Sequence, residues 1–372
     1  RAATGRSRRA ATEVWQGAAS TPADWWTASN WSGLAVPTNG DDVYITGANQ
    51  ICLLTNSTFA LNSLTVSNAT LLFSNWNTTL NAMNVSIQNA GKLTLPAAFT
   101  DTQMSNNICA VCTNLLIAPG GSIFADALGY AGRSGAANSY GYGPGGGYFV
   151  SGGGYGGAGS PGYGGSATNG NATAPIAPGS AGGSYAGGGY GGGGGGAVRI
   201  EASNTITNNG TITANGGGGS LAGAGSGGGI YITCHSIAGS GVVTANGGSG
   251  DHGGGGGGRI AVIYDTNTQA AIFPVPLIQF RAAGGAGNAG WGGYGDVGTR
   301  YFQDNYFLAE TFLHSGQWLV PGITNWAPNN LLVSNAWLRF PADGFRLTIT
   351  NSLVVMGTDI NAHKLELTGA GV

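Results

Sequence analysis

The sequence predicts an all-β chain built as a stacked solenoid, and three observations carry that prediction. No window sets apolar residues at i, i+3, i+4 and i+7 behind a cap and beside a charged face, so helices are not the main element. A strand pattern returns after 31 residues, each copy behind a block of glycines. A second pattern returns over a much longer range: Leu64–Phe73 matches Leu331–Phe340 at seven of ten positions. Short strands closed by glycine turns and repeating with a period in the 20–50 range are the mark of stacked coils.

The elements follow in chain order. Residues 1–12 form a basic tail with Arg1, Arg6, Arg8 and Arg9, read as a disordered or processed end. Residues 13–46 form a Trp-rich N-terminal cap containing Trp15, Trp25, Trp26 and Trp31. Residues 47–128 alternate as half-buried strands do, in Leu64-Thr65-Val66, Leu71-Leu72-Phe73, Asn84–Ile87, Lys92–Leu95 and Leu115–Ile117. Residues 129–196 are a Gly/Tyr-rich insertion, which lies almost wholly within a stretch free of Asp, Glu, Lys and Arg for the 65 residues from Ser134 to Val198. Glycine offers no side chain to bury and loses the most backbone freedom on ordering, so this is no ordinary enzyme core.

Residues 197–310 carry the glycine-block coils. Arg199–Ala202 leads to Thr211–Gly217; Ile230–Thr233 leads to Gly241–Gly248; Arg259–Ile263 leads to the weaker copy Ile278–Gly285. Residues 311–372 resume the plain pattern and stop at Gly369-Ala370-Gly371-Val372 without a polar cap, so the last coil is expected to continue in a longer precursor or to be covered by another subunit.

Composition narrows the function. Residues 10–372 hold nine positive and fifteen negative charges, net −6, which argues against nucleic acid as a partner. No run of about 18 apolar residues exists to span a membrane. Asn30, Asn56, Asn68, Asn77, Asn84, Asn171 and Asn209 head Asn-x-Ser/Thr triplets and permit glycosylation. Cys52, Cys109, Cys112 and Cys234 are read as disulfide partners or buried thiols, because Cys109-Ala-Val-Cys112 lacks a second metal-binding pair at zinc spacing.

Catalytic groups are scarce. Asp41 and Asp42 are adjacent, but neighbours on a strand point to opposite faces and make no dyad. His235, His252, His314 and His363 have no nucleophile fixed at a useful spacing, and Asp251-His252 lacks a third partner. Two near-copies of a calcium-binding glycine repeat, Gly247–Asp251 and Gly292–Asp296, lack a residue of the motif, so no cofactor is expected beyond incidental Ca²⁺.

The glycine-block rungs resemble those of glycine-rich secreted right-handed parallel β-helix surface proteins of the autotransporter-passenger and adhesin type. The stretches that carry the likeness are Gly191–Ile200 through Thr213–Gly216, Gly253–Val262, and the opening Trp15, Trp25-Trp26, Asn30-Trp31, Pro37 and Asp41–Ile45. The resemblance implies a right-handed parallel β-helix at the cell surface with a structural or adhesive role. The glycine runs of the insertion are also similar to packed polyglycine helices.

The function expected is a structural, non-enzymatic subunit that assembles with copies of itself into an extracellular filament, sheath or surface layer. An adhesin or glycan-binding module is the alternative, and a β-helix carbohydrate-active enzyme the third. Candidate assembly or ligand contacts are Trp15, Trp25, Trp26 and Trp31, either as a sugar platform or as a plug over the first coil, and Tyr140, Tyr142, Tyr148, Tyr155, Tyr163, Tyr185 and Tyr190.

Overall fold

The computed structural model describes residues 10–100, 104–135, 137–358 and 363–371. The chain is nearly all β with one large parallel sheet, and the described helices are two short pieces, Ala28–Asn30 and Thr266–Ala270. Arg1, Arg6, Arg8 and Arg9 lie outside the described residues. The strand Thr12–Val14 begins inside the span assigned to the tail and pairs with Asp42–Tyr44.

Strand alternation puts one row of apolar side chains inward, and parallel pairing aligns these rows from strand to strand. Val43, Leu64, Val85, Leu115, Ile206 and Ile237 stand side by side in the first column. Cys52, Leu71, Leu93, Ile123, Ile212, Val243 and Phe280 form the second. Ala110, Ile200, Ile232, Val262 and Phe302 form the third. All of these side chains are buried, and full burial of each large aliphatic one contributes about 1.5–3 kcal/mol. From Ile206 onward the chain visits the columns in turn, through Thr211–Thr213, Gly229–Thr233, Ser236–Ala238, Val242–Thr244 and Arg259–Ile263.

The repeats seen in the sequence coincide with this pairing. Thr211 lies beside Val242 and Thr213 beside Thr244. At the following corner the Asn246 backbone N–H donates to Asn215 Oδ1 at 2.8 Å, and the Ala283 N–H to Asn246 Oδ1 at 2.9 Å. In the long-range repeat, Asn68 and Asn335 occupy the same place and both take a left-handed backbone, with φ of 54° and 48°. Asparagine tolerates that conformation better than other side-chain-bearing residues, which is why it marks the bend in both copies.

The first column stops at Ser236–Ala238. Asp265 caps the short helix that follows by accepting the Thr268 N–H at 2.7 Å. That helix delivers the buried Gln269, whose amide accepts from Ile237 N at 2.8 Å and donates to Ile237 O at 3.0 Å. The second column ends at Gln279–Arg281. The third runs on through Thr299–Phe302, Gly316–Leu319 and Trp337–Phe340 to Lys364–Leu367. Beside it lie a three-stranded parallel sheet (Thr311–Phe312, Asn330–Ser334, Ser352–Met356) and a two-stranded one (Asn325–Trp326, Arg346–Leu347). The strand Ser352–Met356 is exposed along its length.

Candidate functional site

The glycine blocks and the insertion form one lattice flanking the columns. Each segment donates its backbone N–H groups to different neighbours in rotation. In Ala222–Gly228, Gly223 and Ser226 donate to Gly183 and Ser180, Ala224 and Gly227 to Gly253 and Gly256, and Gly225 and Gly228 to Gly217 and Ala214. In Gly253–Gly258, Gly254 and Gly257 reach Gly293 and Asp296, while Gly255 and Gly258 reach Gly248 and Ala245. Every third donor meets the same neighbour, which is the periodicity of an extended helix with three residues per turn.

Close approach requires glycine here. A Cβ on Gly223 would lie 1.8 Å from Ser151 O, and one on Gly255 1.9 Å from Gly225 O. The insertion is stitched into this lattice: Gly153 donates to Ala224 O at 2.8 Å and Gly256 to Gly153 O at 2.9 Å. Arg259, itself buried, clasps it from the columns, donating through Nε to Asn169 O at 3.0 Å and lying over the Tyr155 ring. Burial pushes the Tyr155 hydroxyl up to about 12.

The outer face of the lattice carries a continuous row of rings. Tyr140 meets Tyr148 (centroids 4.7 Å apart), Tyr148 meets Phe149 (6.5 Å), and Phe149 meets both Tyr163 (5.2 Å) and Tyr185 (5.1 Å). Tyr185 continues to His252 (6.4 Å) and His252 to Trp291 (5.1 Å). Tyr140, Tyr163 and Trp291 are 61 %, 64 % and 50 % exposed. Phe149 sits at φ 58° and Leu221, exposed on the lattice, at φ 51°. A bulky residue in that conformation costs on the order of 1–2 kcal/mol, and such strain gathers at functional surfaces.

Of the tyrosines singled out in the sequence, Tyr140, Tyr148, Tyr163 and Tyr185 come together in this row. Tyr190 is exposed and bridges to Ser220, and Tyr142 lies under the Arg133 guanidinium at 4.2 Å. Tyr155 is fully buried, so it is a core residue and makes no external contact. Phe149, His252 and Trp291 were not singled out as contacts, although the glycine-flanked Gly290-Trp291-Gly292-Gly293-Tyr294 repeats the insertion's own style.

Of the two readings of the tryptophans, their burial fits the plug over the first coil and not the sugar platform. Trp15, Trp25 and Trp31 are buried, packed edge to face at 5.0 Å and 4.7 Å, and Trp31 Nε1 donates to Trp25 O at 2.7 Å. Their rings plug the core and are closed to a ligand; Trp26 is half-buried against Phe59.

Cys52, Cys109, Cys112 and Cys234 are free, buried thiols. Burial pushes Cys112 and Cys234 up to about 12 and raises Cys52 and Cys109. Asn56, Asn68, Asn77, Asn84 and Asn171 are exposed and Asn209 is half-buried. Asn30 is half-buried and donates its side-chain amide to Asp24 O at 2.9 Å.

The acidic groups are structural. Asp41 accepts from Ala11 N and Thr38 N, and Asp42 from Asn62 and Ser63. Asp251 accepts from Leu221 N while His252 packs between Tyr185 and Trp291. Among the described residues no group of three His, Cys, Asp or Glu is placed to hold a metal ion. Arg339 binds Asp296 through both oxygens, at 2.8 and 2.9 Å, and Glu366 at 2.8 Å, tying the third column to the lattice.

One family model, that of the G8 domain, matches residues 30–109, from the end of the tryptophan plug to the start of strand Ile108–Ile117. The G8 domain is typically extracellular. No curated protein and no solved structure matches the chain. No helix among the described residues is long and apolar enough to cross a membrane.

Proposed function

We propose that this chain is a secreted structural protein, a closed right-handed parallel β-helix with a polyglycine flank, that associates with copies of itself through its aromatic face. The observation that carries this reading is the row from Tyr140 to Trp291 on a rigid support. An exposed aromatic patch on a soluble protein marks a contact surface. The part of the insertion from Ser134 to Gly196 is without charge, so the section of the face that it supplies adds no like-charge repulsion. Tyrosine is suited to both sides of such a contact, because its hydroxyl donates and accepts while its ring supplies area. The G8 match supports an extracellular setting. The exposed Leu353–Met356 row would extend lateral pairs into a filament or layer. No reaction belongs to this proposal.

Sedimentation of wild type, Tyr163→Arg and Trp291→Arg over a range of concentrations tests it. Wild type is expected to associate as concentration rises, and both variants to stay monomeric at unchanged thermal stability. A wild type that remains monomeric at every concentration refutes the reading. Neutral-glycan binding by that monomer, lost in Trp291→Arg, would transfer the face to an adhesive role, for which the half-exposed Trp291 ring is the specific argument.

A further inference from the structure

A row of inward side chains in the third column reads Ile108, Val198, Ile230, Ile260, Arg300 and Trp318. Five are apolar and buried; the sixth is an arginine only 3 % exposed. Among the described residues Arg300 has no carboxylate partner. Its Nη2 donates to Gly316 O at 3.0 Å and its Nη1 to Phe280 O at 3.3 Å, while Nε is buried without a partner. An uncompensated charge in an apolar interior costs several kcal/mol. Burial accordingly draws this guanidinium down to about 9, which still leaves it charged at neutral pH.

Arg300 lines a cavity of about 450 Å³ whose walls include Phe280, Phe312 and Trp318 and whose rim includes Leu277, 78 % exposed. His314 lines the same cavity, held down to about 4 by burial and then by the charges of Arg281 and Arg300. Arg281 also has a buried Nε without a partner, although it donates to Gln279. The lining contains no acidic residue. Glu310, in the adjoining segment, is spent on the backbone N–H groups of Asn329 and Asn330.

We propose that this cavity binds a small amphipathic carboxylate, its head on Arg300 and its apolar body against Phe280, Phe312, Trp318 and Leu277. A guanidinium carries five N–H donors, of which two are committed here. Nε is closed off against Gly316, so the two uncommitted Nη N–H groups are the ones left to hold a carboxylate. The ligand would supply the anion that this otherwise apolar row lacks.

Calorimetric titration of the full chain with sodium decanoate and with methyl decanoate tests this. Decanoate is expected to bind at least about tenfold more tightly than its ester, the scale of one charge-assisted bond. Arg300→Met, which keeps the volume, should erase that preference, and Arg300→Lys should retain part of it. Equal affinity for acid and ester, no binding of decanoate up to about 1 mM, or unchanged binding in Arg300→Met overturns the proposal. The wild-type comparison needs no variant, so it decides the matter even where a substitution prevents folding.

Discussion

Replacing Gly255 by alanine tests the glycine lattice at a crowded point. The added Cβ would stand 1.9 Å from Gly225 O, 2.5 Å from Gly225 C and 3.0 Å from Ser226 N. All three are backbone atoms, so no rotamer change relieves the clash. Reaching ordinary contact requires the two segments to part by about 1.5 Å, since Cβ contacts are relaxed only beyond about 3.4 Å. That separation strains the bonds from Gly255 N to Gly248 O (2.9 Å) and from Gly285 N to Gly255 O (2.8 Å). Two bonds at about 1 kcal/mol each and overpacking at about 1–3 kcal/mol outweigh the gain of about 0.4–1 kcal/mol from a stiffer unfolded chain. The net loss is about 2–4.6 kcal/mol. For a chain of 372 residues unfolding as one unit, this lowers Tm by about 3–6 °C. Gly290 is the control: its only close contact is the Asn288 side chain at 3.3 Å, and its alanine variant should stay within about 0.5 kcal/mol of wild type. Calorimetry showing the same Tm for both variants would refute backbone-to-backbone packing of the lattice.

Three further outcomes are expected. His314 is held near 4 when folded against an ordinary 6.5, so the unfolded chain binds the extra proton between those values and stability falls as pH drops through that window. Discounted for partial exposure, the loss is about 1–2 kcal/mol, and denaturant melts of His314→Gln should show a flatter profile between about pH 4 and 6.5. Trp31→Ala removes the ring that packs against both Trp15 and Trp25, and equilibrium unfolding should register a loss of about 3–5 kcal/mol. A thiol reagent at about pH 8 should leave the folded protein untouched and count four thiols after denaturation, because burial keeps each cysteine protonated.

The periodic part of the fold was legible because identical text folds identically. Thr211–Gly217 returns in the sequence as Gly241–Gly248, and in the fold Thr211 and Val242 are lateral partners. Asn68 and Asn335 carry the same bend in both copies of the longer repeat. The aromatic row was legible only in part. Tyr140, Tyr148, Tyr163 and Tyr185 lie in one glycine-rich segment, whereas His252 and Trp291 arrive from two other blocks that only the lattice brings alongside. Arg300 was invisible for another reason. In Thr299-Arg300-Tyr301-Phe302 the alternation is plain, but nothing local says that arginine shares the inward face with Phe302 and tyrosine the outward one. The tryptophans left two readings open, because clustered indoles look the same in sequence whether they cap a core or face a ligand.

Gln269 impersonates a peptide unit where the first column stops, and so seals that seam without another strand. The second seam closes soon after, at Arg281. Between Arg281 and Thr311 the third column alone, among the described residues, continues as paired strands, and the Ala282 N–H to Ser315 O bond and the Arg339–Asp296 ion pair stand beside it. A pull across this joint is therefore shared by fewer strand pairs than one across the three-column part, which makes the stretch between Ile263 and Gly316 the place where force would open the chain first.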